Sequence, residues 1–180
     1  MLRTTILGFA CSIGVQDCLD EAGKEFDKWL QNPSVRPKPD LRNTIYYYGM
    51  FTVGTIEKWE QVWQLYLDEG DAQEKSKLMQ SLVAIQSPWI LKRFIDLAWD
   101  ESNVRGQDYF SCLQSIAGNP IGESIVWDYV RENWPRLVAR FGLNERYLGR
   151  MIPSIVGRFS TQTKLDEVWQ YISFYSKTNR

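Results

Sequence analysis

The stretch Trp127–Phe141 reads WDYVRENWPRLVARF, and its large apolar residues recur at steps of three and four. These residues are Trp127, Val130, Trp134, Leu137 and Phe141, and on an α-helix they share one face. The residues between them are mostly polar or charged, as expected for the side of a helix that faces water. The stretch therefore predicts a long amphipathic helix, which Pro135 should kink or divide because proline lacks an amide hydrogen.

The same spacing recurs along almost the whole chain. Further apolar stripes are Leu19, Ala22, Phe26 and Trp29, then Ile56, Trp59, Trp63 and Tyr66, then Leu165, Val168, Ile172 and Tyr175. No segment shows sustained alternation of apolar and polar residues, so we predict no sheet. We predict ten helices, at 2–13, 17–31, 40–52, 55–69, 71–85, 88–99, 105–117, 119–141, 143–157 and 160–176.

These ten helices would form five consecutive hairpins that begin every 31–38 residues. That period is typical of helical repeats, although no residue signature recurs from pair to pair. The prediction is an all-α superhelical solenoid of antiparallel helix pairs that forms a single domain over residues 1–180. A superhelical bundle is the other arrangement that the same pattern allows.

Short polar residues mark several helix ends. Asp71 with Glu74 predicts a reciprocal capping box, and Thr55, Asp40 and Ser160 are further N-cap candidates. Ser87-Pro88 and Asn119-Pro120 each place a cap residue before a proline at the first helical position.

The first helix could be mistaken for a signal peptide because Arg3 precedes an apolar run. The helical spacing of Leu2, Ile6, Phe9 and Ile13 favours a core helix instead. Its apolar face has no polar cap, so we expect a preceding segment of a longer protein to cover it.

Composition excludes several classes of function. The formal net charge is −1 and the pI is about 5.6, which gives no drive toward nucleic acid or an anionic membrane surface. The sequence contains no run of about 20 apolar residues, which is the length that a membrane-spanning helix needs. The chain has no histidine and only three cysteines, so ordinary ligand spacing assembles no zinc site. We predict no catalytic residue and no metal ligand.

Acidic residues cluster at Asp17, Asp20 and Glu21, which could suggest a magnesium-dependent helical enzyme. The stronger interpretation is a helix start, with Asp17 as the cap and the other two in the first turn. A second, facing cluster would be needed to hold a metal ion, and the sequence offers none.

Arginine is concentrated late in the chain, with six residues at 131, 136, 140, 146, 150 and 158. Arg146 and Arg150 are four positions apart and share one helix face. A guanidinium matches a carboxylate bidentately. The favoured interpretation is a solvated, salt-bridged helix, and a carboxylate-binding or docking patch is the alternative.

Several short segments of the sequence are similar to those of one known family. Leu2–Thr4, Phe9–Cys11, Gly14–Cys18, Ala72–Leu78 and Arg158–Thr161 occur in order as in the C-terminal helical (ERAP1-like) domain of gluzincin zinc aminopeptidases. Gly142–Arg150 looks most like the glutamyl aminopeptidase branch, with the aminopeptidase N branch close to it. The resemblance runs from about Leu2 to about Tyr175.

The resemblance implies a non-catalytic domain of HEAT- or armadillo-like helix pairs, truncated at both ends relative to its family. Such a domain caps the substrate cavity of an aminopeptidase that removes N-terminal residues from peptides, and it supports folding of the catalytic domain. That catalytic domain, in the same polypeptide, holds zinc on a His-Glu-x-x-His helix and carries a Gly-x-Met-Glu-Asn loop, neither of which this chain contains. The alternative function is a free-standing helical-repeat module that binds peptides or proteins.

The resemblance also assigns roles to individual residues. Arg146 matches an arginine that recognises an acidic N-terminal side chain of the peptide substrate, and Arg150 is a weaker candidate for the same role. Cys11 and Cys18 match a disulfide, and Cys112 would be a buried free thiol. A disulfide implies an oxidising location, here an extracellular, cell-surface or secretory-lumen one.

The disulfide predicts a thiol count. Titrated under denaturing, non-reducing conditions, the protein should show one reactive thiol per chain, because only Cys112 would remain reduced. Three reactive thiols would contradict the pairing of Cys11 with Cys18.

Overall fold

The computed structural model describes residues 2–142 and 146–178, with side chains for 4–142 and 150–174. These residues form ten α-helices and no strand, so the fold is all-α as predicted. The helices are α1 (Leu2–Ser12), α2 (Gln16–Gln31), α3 (Arg42–Val53), α4 (Ile56–Asp68), α5 (Ala72–Val83), α6 (Pro88–Ala98), α7 (Gly106–Gly118), α8 (Gly122–Phe141), α9 (Arg146–Val156) and α10 (Gln162–Thr178).

Each predicted helix is present, with ends no more than three residues from the predicted ones. Pro135 lies inside α8, which continues unbroken to Phe141, so the proline does not divide the helix. Within the described part of the chain, none of the helices combines the length and the apolar composition that a membrane span requires. The chain separates into two compact units, Met1–Leu97 and Ala98–Arg180. A single domain over 1–180 and superhelical stacking both stay predictions.

In the first unit, α3 packs closely against α2 and α5, and α4 packs against α5. Phe26, Trp29 and Tyr46 are almost fully buried, and the Trp29 and Tyr46 rings stack with centroids 4.1 Å apart. Gly49 allows this packing, because a Cβ there would lie 2.2 Å from Cβ of Phe26. Only glycine therefore fits where α3 crosses α2.

In the second unit, α7 packs against α8 and α9, which also pack against each other. Trp127 of the α8 stripe is fully buried and meets Phe159 edge-on at 5.8 Å between centroids. Phe141, at the end of the same stripe, stacks on Tyr109 at 5.7 Å. The stripe that predicted α8 therefore supplies much of this core.

The apolar stripes of α1 and α10 differ from the others. Ile6, Phe9 and Ile13 are 56%, 64% and 61% exposed, so in this chain α1 is not the core helix that its spacing predicted. On α10, Leu165 and Ile172 are 50% and 43% exposed. Periodicity identifies the apolar face of a helix, but it contains no information about what packs on that face.

The predicted caps have mixed outcomes. Thr55 Oγ1 accepts from the Lys58 amide at 3.3 Å, as predicted. Asp40 and Ser160 do not cap, because α3 begins after Leu41 and it is Thr161 Oγ1 that accepts from the Lys164 amide. Proline was predicted at the first position of two helices. This is correct for α6, which begins at Pro88, and wrong for α8, which begins at Gly122, two residues after Pro120.

The capping box of α5 is only half formed. Asp71 Oδ1 accepts from the Glu74 amide at 2.8 Å, but the Asp71 amide donates to Glu69 Oε1. Glu74 does not return the bond, because its carboxylate is engaged by cations.

Those cations tie three segments together around Glu74, which is 6% exposed. Its carboxylate pairs with Arg42 of α3 at 3.0 Å, with Arg36 of the loop before α3 at 3.4 Å, and with Lys77 of α5. Burial alone would raise the pKa of Glu74, but hydrogen bonds from Lys77 and Arg42 outweigh it and hold that pKa below its usual value.

Glu74→Gln should lower the free energy of unfolding at neutral pH by about 2 kcal/mol, because three cations lose their shared buried anion. Since the folded-state pKa is lowered, the contribution is complete above the unfolded-state pKa of about 4.3 and is lost as the pH falls through the folded-state value. Urea unfolding across this pH range should therefore show a smaller acid-induced loss for the variant.

Glu25→Gln is the control, because Glu25 forms an exposed pair with Lys28. Its cost should be under about 0.5 kcal/mol. Equal losses for the two variants would mean that the Glu74 network does not stabilise the fold.

Candidate functional site

The predicted site lies at the start of α9. Arg146 is the first residue of this helix, and its side chain lies outside the described residues. Arg150 is exposed, one helical turn further along. Met151 and Ile155 are buried, and at about 100° per residue they lie roughly opposite positions 146 and 150. The face that carries these two positions is therefore not the one that packs into the core.

Three of the other arginines in this part of the chain have structural partners. Arg140 donates to the Trp99 carbonyl at 2.6 Å and to Glu101 at 2.8 Å, and its guanidinium lies 4.2 Å from the centroid of the Trp99 ring. Arg158 donates to the Gly118 carbonyl at 2.6 Å, at the C-terminal end of α7. Arg131 pairs with Asp128. Arg140 and Arg158 therefore join separate segments of the second unit, whereas the Arg131 pair lies within α8.

Arg136 and Arg150 are the other two late arginines whose side chains the structure describes. The guanidinium of Arg136 lies 4.0 Å from the Trp99 centroid. Neither arginine has a carboxylate within ion-pair distance among the side chains that the structure describes. Both can therefore accept an anionic partner from outside. At position 146 the backbone adds to this capacity, because the free amides at a helix start attract anions.

The acidic cluster at Asp17, Asp20 and Glu21 does not form a metal site. Asp20 accepts a hydrogen bond from Gln16 at 2.7 Å, whereas Asp17 and Glu21 line a cavity. The prediction that Asp17 caps α2 is wrong, because Val15 occupies the cap position without a side-chain bond. No group of three or more acidic, cysteine or histidine side chains in the described residues could hold a metal ion.

The cysteines are arranged as the resemblance implied. Cys11 at the end of α1 and Cys18 at the start of α2 form a disulfide, with their Cα atoms 5.2 Å apart. Gly14 makes the turn between them with a φ of 80°, which favours glycine. Cys112 is a buried free thiol, and burial raises its pKa to about 12.

Sequence reasoning missed the cavity of the first unit. It is lined by α1, α2, the loop before α3 and the start of α3. One signal was present, because Asp17, Glu21 and Glu25 are spaced by four residues and so share a face of α2. The sequence could not show that α1 leaves open space beside that face.

The chain is similar to known proteins over almost its whole length. The sequence model of the ERAP1-like C-terminal domain matches residues 1–178. Glutamyl aminopeptidase of Mus musculus is 36% identical over 177 residues, which are 98% of this chain and 18% of that protein. The glutamyl aminopeptidase of Bitis rhinoceros is 37% identical with the same coverage. Aminopeptidase Ey of Gallus gallus is 33% identical over 163 residues, 90% of this chain and 17% of that protein.

The difference between the bonded Arg140 and the exposed Arg150 can be tested by measuring the stability of the protein. Arg140→Ala should lower the free energy of unfolding by about 2 kcal/mol, because two hydrogen bonds and the ring contacts are lost. Arg150→Ala removes the same charge from an exposed position and should change it by less than about 0.5 kcal/mol. Thermal unfolding followed by circular dichroism gives both values, and similar losses would show that Arg150 is also structural.

Proposed function

The chain belongs to the family of ERAP1-like C-terminal domains, and we propose that it is the non-catalytic C-terminal domain of a zinc-dependent aminopeptidase. The observation that carries this proposal is the match to glutamyl aminopeptidases over 98% of the chain but only 18% of their length. The parent would remove N-terminal residues from peptides. The catalytic part of the parent would lie outside the segment that corresponds to this chain.

We propose that the domain caps the substrate cavity of that parent and supports folding of its catalytic domain in the same polypeptide. The exposed stripes of α1 and α10 support this role. Ile6 and Phe9 of α1 and Ile13 just after it are all exposed, and Trp169 of α10 is 64% exposed. Apolar surface of this kind commonly marks a contact with another protein surface.

Zinc would polarise the peptide carbonyl and activate water when bound. The described residues of this chain do not fit it, because they offer no suitable ligand group and two of the three cysteines are joined in a disulfide. The metal would be held by the catalytic domain. The disulfide supports an extracellular, cell-surface or secretory-lumen location, where such bonds persist.

Arg146 is the residue that we propose to contact an acidic N-terminal side chain of the peptide, with Arg150 as a second contributor. Position 146 begins α9, so an acidic group there would meet both a guanidinium and free backbone amides. Arg150 supports the same anion from one turn away, since the side chains that the structure describes give it no carboxylate partner.

The alternative is a free-standing helical-repeat module that binds peptides or proteins. The observation that favours it is a cavity of about 570 Å³ within the first unit. A purified, monomeric chain that bound peptides with no catalytic domain present would support this alternative.

The domain role is tested in a chimera in which this chain replaces the matching segment of the mouse enzyme. The chimera should reach the cell surface and should release amino acids from aminoacyl-coumarin substrates, whereas the same enzyme truncated before the segment should be inactive or retained inside the cell. The 180-residue chain alone should release none. Release by the chain alone would overturn the proposal.

In the chimera, Arg146→Ala should lower kcat/KM for an N-terminal Glu substrate by about tenfold, because a charge-assisted bond to the side chain is lost. The value for an N-terminal Ala substrate should fall less than about twofold. Arg136→Ala removes the same charge elsewhere and should leave the ratio of the two substrates unchanged. Equal losses on both substrates in the Arg146 variant would mean that the residue is structural.

A further inference from the structure

The first unit contains a cavity of about 570 Å³ that the aminopeptidase role does not use. Its volume lies within the range of about 300–1,000 Å³ that is usual for ligand sites. Its apolar lining comes from several segments: Leu7 and Ala10 of α1, Ala22 of α2, Leu41 before α3, and Ile45 of α3. The disulfide between Cys11 and Cys18 forms part of the wall and fixes the end of α1 to the start of α2.

One wall of the cavity is acidic. Asp17, Glu21 and Glu25 line it from three successive turns of α2, and Lys38 is the one cation in that lining. Glu25 pairs with Lys28 at 3.4 Å. Asp17 and Glu21 are exposed, and no cation among the described residues lies within ion-pair distance of them. The lining therefore combines apolar side chains with two carboxylates, Asp17 and Glu21, that have no ion-pair partner among the described side chains.

The spacing of the acidic positions indicates the shape of the occupant. At a rise of about 1.5 Å per residue, successive acidic positions on α2 are about 6 Å apart along the helix. An extended peptide places every second side chain on one side at a spacing of about 6.6 Å. The two spacings agree closely enough for basic residues at alternate positions to meet successive carboxylates.

We propose that this cavity binds an extended peptide segment with basic side chains at alternate positions and apolar side chains between them. The basic groups pair with Asp17 and Glu21, and an arginine fork suits a carboxylate. The apolar side chains point to the opposite side of the extended peptide and pack against Leu7, Leu41 and Ile45, which lie outside α2. The excess of carboxylates in the lining disfavours acidic peptides.

This inference goes beyond the aminopeptidase role and does not depend on it. The cavity lies within α1–α3 and is distant in sequence from Arg146. It deepens the alternative function, since it names the class of peptide that such a binding module would take. Binding is measured on the full chain without a catalytic domain, whereas the aminopeptidase role is measured in the chimera, so failure of one leaves the other standing.

The probe is a fluorescein-labelled pentapeptide, acetyl-Leu-Arg-Leu-Arg-Leu-amide, and the readout is fluorescence anisotropy. We expect it to bind the full chain at least about tenfold more tightly than the same peptide with Glu in place of Arg. The variant D17N/E21Q should bind the basic peptide about tenfold less tightly, since both free carboxylates are lost.

The matched control is D20N/D40N, which removes two carboxylates that do not line the cavity. It should bind within about twofold of the unaltered chain. Raising the salt concentration from about 50 to about 500 mM should weaken binding to the unaltered chain, which tests the charge contribution without any substitution.

Methyl NMR locates the peptide. On titration, the shifts should concentrate at Leu7, Leu41 and Ile45. Four results would overturn the proposal: no binding, equal binding of the acidic peptide, equal losses in the two double variants, or shifts concentrated on α10 instead.

Discussion

Large aromatic side chains on one face of each helix must leave water, and the arrangement of the first unit depends on how they do so. Phe26 can be buried beneath α3 only because position 49 is glycine, which lets the α3 backbone come within reach of the phenylalanine. The contact brings Trp29 against Tyr46 and leaves α3 able to pack against α5 on its other side. Between α3 and α5, the buried Ser81 hydroxyl donates to the Tyr46 carbonyl at 2.8 Å, so this buried polar group has a partner.

Helix positions could be predicted from the sequence because a stripe of large apolar residues specifies both the period and the extent of a helix. The helix starts were harder to predict. Asp40 and Ser160 have suitable side chains, but each lies one residue before the position that starts the helix. At α5 a tertiary contact decides the outcome, because Glu74 is held by Arg42 and Lys77 and its carboxylate does not reach back to the Asp71 amide. A capping rule considers one helix, whereas this carboxylate serves three segments.

The candidate sites illustrate the same limit. A count of arginines could not separate Arg140, which is bonded to a carbonyl and a carboxylate, from Arg150, which is exposed. The role of Arg146 came from resemblance and not from its chemistry, which is that of any arginine. The cavity beside the disulfide depends on how α1 packs against α2 and α3, which no residue spacing in the sequence encodes. In contrast, the pairing of Cys11 with Cys18 followed from the resemblance and is present in the structure.

Cys112 is the one free cysteine of the chain. It is fully buried in α7, and the other two cysteines are oxidised and lie in the first unit. An alkylating reagent in native buffer therefore has a single target, which it reaches only when the second unit transiently opens. With the thiol pKa raised to about 12, almost none of it is ionised while the unit is closed. The rate of alkylation thus measures how often residues 98–180 open, separately from the rest of the chain and with no added label.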